Sequence, residues 1–94
     1  MLIKYNKMLI QLGENFKLAR LRRKLTIEQV SERADIKLGT LKLIEEGYEH
    51  LKLEDYFKVL IVLNLADDIL KLASDDILGR KLQDIELLKN AGIV

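Results

Sequence analysis

The sequence holds no cysteine, no proline and no tryptophan, and its single histidine is His50. Without cysteine there is no disulfide scaffold, thiol nucleophile, iron–sulfur cluster or thiolate zinc site. One histidine cannot make a histidine pair, so neither a metal nor another cofactor is expected. Glycine appears only five times. Asn-Gly and Asp-Gly turns and β-branched alternation are missing, so strands have no signal. No apolar run approaches the ~18 residues that a membrane span requires. The first residues do not form the apolar stretch of a signal peptide, and the expected location is cytoplasmic.

Leucine dominates what is present, at 20 of the 94 residues. Leu, Ile, Val and Phe together reach 38%, well above the roughly 20% below which a charged chain stays disordered. A Pro-free, Leu-rich chain that is 33% charged reads as all-helical. Its length suits one domain. The expected fold is all-α, a compact bundle of five or six helices.

The net charge of +1 hides an uneven spread. Residues 1–50 carry ten Lys and Arg against seven Asp and Glu, whereas residues 51–94 carry six against eight. Lys17, Arg20, Arg22, Arg23 and Lys24 fall within eight residues that contain no acid. Such a cluster is either a solvated helix face or an electrostatic footprint for phosphate.

Apolar spacing places a first helix at about Asn6–Arg23, with Leu9, Leu12, Phe16, Ala19 and Arg23 along one face and Gly13 as a weak point. Residues 1–10 extend it, form an arm, or pair with a partner chain. Thr26-Ile27-Glu28-Gln29 matches a capping box and opens a second helix ending near Ala34. A third runs over about Lys37–Glu46, with Leu41 and Ile44 inward and Gly47 as its left-handed stop. The tight turn between them makes a helix-turn-helix pattern. A fourth helix spans about Leu53–Leu63 and ends at Asn64, and a fifth spans Ala66–Ala73. Ser74 is the expected cap of a last helix, with Asp75 and Asp76 in its first turn and an Ile77, Leu78, Lys81, Leu82, Ile85, Leu88 stripe. The end, 91–94, is expected to fray.

Enzymatic chemistry has little support. Asp67/Asp68 and Asp75/Asp76 are adjacent pairs, about 100° apart on a helix, so neither pair shares a site. Both stand where carboxylates favour a helix start. No Gly-rich phosphate loop is present, and His50 is a lone loop histidine. No enzyme activity is expected.

Leu12-Gly13-Glu14-Asn15, Leu18-Ala19-Arg20, Leu25–Ala34, Ile36, Thr40-Leu41 and Ile44-Glu45-Glu46-Gly47 form a pattern that continues through Tyr56, Val59-Leu60 and Leu63-Asn64-Leu65. This pattern resembles the phage-repressor and Cro type of DNA-binding domain, the XRE family. Leu70–Asp76 and Leu78–Asp84 are similar to the tail of HipB-like antitoxins, encoded beside HipA-like kinases. The resemblance implies an arm or helix extension at 1–11 and a DNA-binding domain at 12–65. Residues 66–94 would be a helical extension packing on that domain or mediating dimerisation.

It further implies a homodimeric repressor, nucleoid-associated, autoregulating its operon in antitoxin-like fashion at a palindromic double-stranded operator. The half-sites would lie about 34–36 Å apart. Lys37, Leu38, Gly39, Thr40, Lys42 and Leu43 would face bases. Asn15, Lys17, Arg22, Arg23, Thr26 and Ile27 would meet phosphates. Asp35 stands where the family usually has Gly. Leu38, Gly39 and Leu43 replace commonly polar base-facing residues, and Glu45 and Glu46 add negative charge near DNA. Direct readout then rests on Lys37, Thr40 and Lys42.

The alternative is a protein-interaction module on the same scaffold, with Leu38, Leu43 and Leu51 as an apolar patch for a partner such as a kinase toxin. The dimer surface is expected among Leu65, Ile69, Leu72, Leu78, Leu82 and Ile85, unless these pack within the chain.

Overall fold

The computed structural model describes residues 3–74, 77–90 and 92. Every regular element within them is a helix: α1 (Ile3–Arg22), α2 (Ile27–Ala34), α3 (Leu38–Glu46), α4 (Leu53–Val62), α5 (Ala66–Leu70) and α6 (Ile77–Asn90). This is the all-α architecture that the composition implies. Residues 3–11 form the first turns of α1. Helices α1 to α5 form the bundle: α1 lies on α3, α2 on α3 and α4, and α5 on α4.

The core is small. Phe16, Ala19, Val30, Ala34, Leu41, Ile44, Val59 and Leu63 are buried, and Leu25, Ile36, Leu51, Tyr56 and Leu60 pack around them. Phe16 meets Tyr56 edge-on, with ring centroids 5.7 Å apart. The buried face of α1 is rotated from the expected one. Gly13, Phe16, Ala19 and Arg20 point inward, while Leu12 and Arg23 are exposed. Gly13 accounts for the rotation. A Cβ there would stand 2.6 Å from the carbonyl oxygens of Ile44 and Glu45. Gly13 is therefore a point of close approach between α1 and α3, and its helix-propensity cost is offset by that approach. Gly47 does the same at the end of α3, where a Cβ would come 2.6 Å from the Cα of Ile10.

Arg20 ties this contact together. Its Nε and Nη2 donate to the two carboxylate oxygens of Glu45 at 2.8 and 3.0 Å, and its Nη1 donates to the Leu25 carbonyl at 3.0 Å. Both side chains are about nine-tenths buried. The hydrogen bond to Glu45 raises the pKa of Arg20 further above its ordinary value. One guanidinium thus links α1, the α1–α2 turn and α3. Glu45 is consequently a structural partner of Arg20 and not a free surface charge.

Four helices end alike. Lys24, Asp35, Gly47 and Asn64 are left-handed, with φ of 56°, 55°, 80° and 61°. The amides of the following residues, Leu25, Ile36, Tyr48 and Leu65, reach back to the carbonyls of Arg20, Ser31, Leu43 and Leu60. This is the Schellman arrangement. At the start of α2, the Thr26 hydroxyl accepts from the Gln29 amide while the Gln29 side chain accepts from the Thr26 amide. The expected capping box is formed.

The carboxyl-terminal part differs from expectation. After α5 the chain turns through 71–74, with Ala73 left-handed at φ 60°. The Ser74 hydroxyl donates to the Lys71 carbonyl at 2.7 Å, a bond that leaves its oxygen free to accept. Asp75 and Asp76 lie outside the described residues, as do 91, 93 and 94. No described residue of α6 is buried, and the molecule measures 57 × 29 × 21 Å.

Two outcomes are expected for stability. Gly13→Ala should lower it by about 1–3 kcal/mol through overpacking against the α3 carbonyls, whereas Gly39→Ala, with nothing within 4 Å of its Cβ, should raise it by about 0.5–1 kcal/mol. Urea denaturation of both variants checks the contrast. Glu45→Ala should cost about 2–4 kcal/mol by stranding the Arg20 guanidinium, and the double variant Arg20→Met/Glu45→Leu should recover most of that loss. A double variant as unstable as the single one would contradict this account of the pair.

Candidate nucleic-acid interface

α2 and α3 are joined by Asp35, Ile36 and Lys37. The left-handed Asp35 reverses the chain without glycine, which an Asp side chain tolerates better than most. Lys37 is the extended N-cap of α3, with φ −65° and ψ 141°, and offers no side-chain cap. The first turn of α3 thus starts on open amides beside an exposed lysine.

The buried line of α3 is Leu41 and Ile44. At about 100° per residue, Gly39 and Leu43 project almost opposite that line, flanked by Thr40 and Lys42. Gly39 and Lys42 are exposed, and Leu38, Thr40 and Leu43 are half-buried. Glu46 is exposed and shares the outward strip at its carboxyl-terminal end. The six base-facing candidates therefore do not share one strip. Gly39, Thr40, Lys42 and Leu43 lie on or border the outward strip, Leu38 turns toward the Glu45 side, and Lys37, four and seven residues before Leu41 and Ile44, stands exposed at the N-cap in line with the inner face. Leu38 and Leu43 stand about 140° apart round the helix, and Leu51 packs on the core. These three leucines do not share one face.

The phosphate candidates also divide. Arg22 and Arg23 close α1 beside the start of α2, and both are exposed. Arg23 Nη1 donates to the Ala19 carbonyl at 2.8 Å. The Thr26 hydroxyl is engaged with Gln29. Ile27 packs its side chain on the core, so its amide is the group it can offer. Lys17 is exposed on the flank of α1 nearer α3, about 200° round the helix from Asn15. Asn15 accepts from the Gln11 side chain at 2.9 Å and borders an apolar hollow with Leu60, Leu63 and Asp68. It stands about 12 Å along α1 from Arg23. Arg22, Arg23 and the α2 amides are thus gathered at one end, and Asn15 is not among them.

Sequence reasoning did not identify the partnership of Arg20 and Glu45, which aims α3. Arg20 was visible only as one member of the basic cluster, and its partner lies 25 residues away.

Among the described residues no group of acids and histidine could hold a metal ion, and no helix is long and apolar enough to cross a membrane. No curated protein and no solved structure matches the chain. A family model described as helix-turn-helix matches residues 16–70, more than half of the chain, from the second half of α1 through α5. The chain belongs to this family of XRE-type helix-turn-helix, DNA-binding transcription regulators.

Proposed function

We propose that the chain is a homodimeric repressor that occludes a promoter by placing two α3 helices in successive major grooves of a palindromic operator. The observation that carries this reading is the fixed aim of α3. The Arg20–Glu45 contact anchors one side of the helix on α1. On the opposite side Gly39 and Lys42 are exposed and Thr40 and Leu43 half-buried.

Lys37, Thr40 and Lys42 are the proposed base-edge donors. Leu43 would offer apolar contact to a thymine methyl, and Leu38 would stand at the edge of the interface. The bare Cα of Gly39 permits close backbone approach. Arg22, Arg23 and the Ile27 amide, with Thr26 beside it and Lys17 on the flank, would hold phosphates. Asn15, turned toward the hollow at α4 and α5, would contribute least.

The likeness of Leu70–Asp84 to HipB-like tails supports an antitoxin role, with repression of the chain's own operon and a HipA-like kinase as toxin partner. A cytoplasmic, nucleoid-bound location goes with it. The protein-interaction module on the same scaffold is the less favoured reading, since Leu38 and Leu43 stand about 140° apart round α3.

Fluorescence anisotropy with a labelled duplex from upstream of the gene, against a scrambled duplex, tests the reading at ~50 and ~200 mM salt. A preference of about a hundredfold or more is expected, somewhat below the roughly 10³–10⁷ typical of specific regulators, in keeping with the apolar outward strip of α3. About six phosphate contacts give a log–log salt slope near −5. Equal, weak binding to both duplexes would overturn it. Lys42→Ala should reduce the preference about fivefold or more, while Arg22→Ala should weaken both duplexes alike and flatten the slope by about one. Indistinguishable behaviour of the two variants would show the assigned roles to be wrong.

A further inference from the structure

Two apolar hollows of about 280 and 310 Å³ adjoin along the side of the bundle away from the first turn of α3. They share Leu12, Leu60, Ile69 and Leu72, and together form a groove across α1, α4 and α5. The groove runs from Tyr48–Leu53 at one end to Leu65–Asp68 at the other. Gly47 lies against Ile10, so the groove sits at the carboxyl-terminal end of α3 and leaves Lys37–Thr40 clear.

The side chains lining the two hollows include the carboxylates of Glu49 and Asp68 and no lysine or arginine, though Lys71, just outside the lining, reaches Asp68 in an exposed pair at 3.4 Å. The opposite pattern stands on α6. Its exposed Leu78, Leu82, Ile85 and Leu88 form one face at about 100° per residue. Lys81 and Lys89 project from within that face, about 12 Å apart along the axis, while Asp84 and Glu86 project from its margins.

We infer that the groove receives α6 from a second copy of this chain, in a reciprocal exchange that makes the dimer. The exchange rests on the dimeric reading above and names its surface. Each α6 would lay Leu78, Leu82 and Ile85 into the partner copy's groove, and its two lysines would meet the groove's carboxylates. Charge selects the groove over the other α6. Two α6 faces pressed together would carry four lysines into one apolar seam with no carboxylate within either face. The chain's own α6 is not seated in its groove, since none of its described residues is buried. The exchange is isologous and closes at two copies.

Sedimentation velocity without DNA tests the exchange on the full chain. The wild type is expected to be a dimer. Leu82→Asp on α6 and Leu72→Asp at the groove should each raise the dimer dissociation constant at least about tenfold, since each buries an uncompensated carboxylate. Both positions are largely exposed in the single chain, so folding should survive, and circular dichroism checks that it does.

Lys81→Glu/Lys89→Glu should weaken the dimer similarly, and adding Glu49→Lys/Asp68→Lys to the same chain should restore it. A monomeric wild type at ~100 µM would overturn the inference, being far weaker than a functional dimer requires. A dimer lost with Leu82→Asp but untouched by Leu72→Asp and the charge exchange would overturn it in favour of α6 pairing with α6. Dimerisation by this route without duplex preference would defeat only the DNA-binding reading. Duplex preference with a dimer indifferent to these substitutions would defeat only the exchange.

Discussion

The Arg20 guanidinium is the constraint on which the rest of the fold depends. Alone, the ion pair contributes little net stability, because desolvating both charges offsets most of their attraction, and apolar replacements of similar volume do as well. Its contribution is geometric. A planar fork bonded to both oxygens of Glu45 admits only a narrow range of helix orientations, and the third bond to the Leu25 carbonyl fixes the turn leading into α2. Gly13 then removes the one side chain that would hold the helices apart. Together they set the rotation of α3, and hence which residues face outward.

Helices this short do not stand alone. α2, α3 and α4 have eight, nine and ten residues, below the roughly 12–15 at which isolated helices become even marginal. Their ends therefore matter as much as their middles. Three of the four left-handed closures, at Lys24, Asp35 and Asn64, are made without glycine. Each costs up to about 1–2 kcal/mol, less for Asp and Asn. The next residue in the chain offsets that cost. Leu25, Ile36 and Leu65 bond back to the helix they leave and pack on the core. A chain with no proline and few glycines can stop its helices because an apolar residue waits just beyond each stop.

This explains why so much of the fold was legible in the sequence. The capping box at Thr26, the turn at Asp35 and the stop at Gly47 are decided by residues within a few positions of each other, and the sequence shows such neighbours directly. The rotation of α1 was not legible, because it depends on Gly13 meeting Ile44 and Glu45 some thirty residues away. Periodicity alone favoured Leu12 over Gly13 as the inward residue. Glu45 read as free charge for the same reason. The basic cluster was visible as a run of charge, but helical geometry scatters such a run. Lys17 and Arg22 leave opposite flanks of α1, and Arg20 goes inside.

The uneven spread of charge along the chain becomes a spread across the molecule. Arg22, Arg23, Lys37 and Lys42 lie around the α2 and α3 starts, while Glu49 and Asp68 border the groove beyond the other end of α3. On the proposed reading a polyanion would be drawn to the first end, which would orient an approaching molecule before any base edge is touched. On the proposed reading this orientation counts for more than usual. The outward strip of α3 centres on Gly39 and Leu43, which make no bidentate hydrogen bond, and each such bond forgone removes about 1–3 kcal/mol of discrimination. One half-site read by Thr40 and two lysines is then weakly specific. Two half-sites held at a fixed spacing multiply that weak preference, so the rigidity of the dimer would set the specificity that a single α3 lacks.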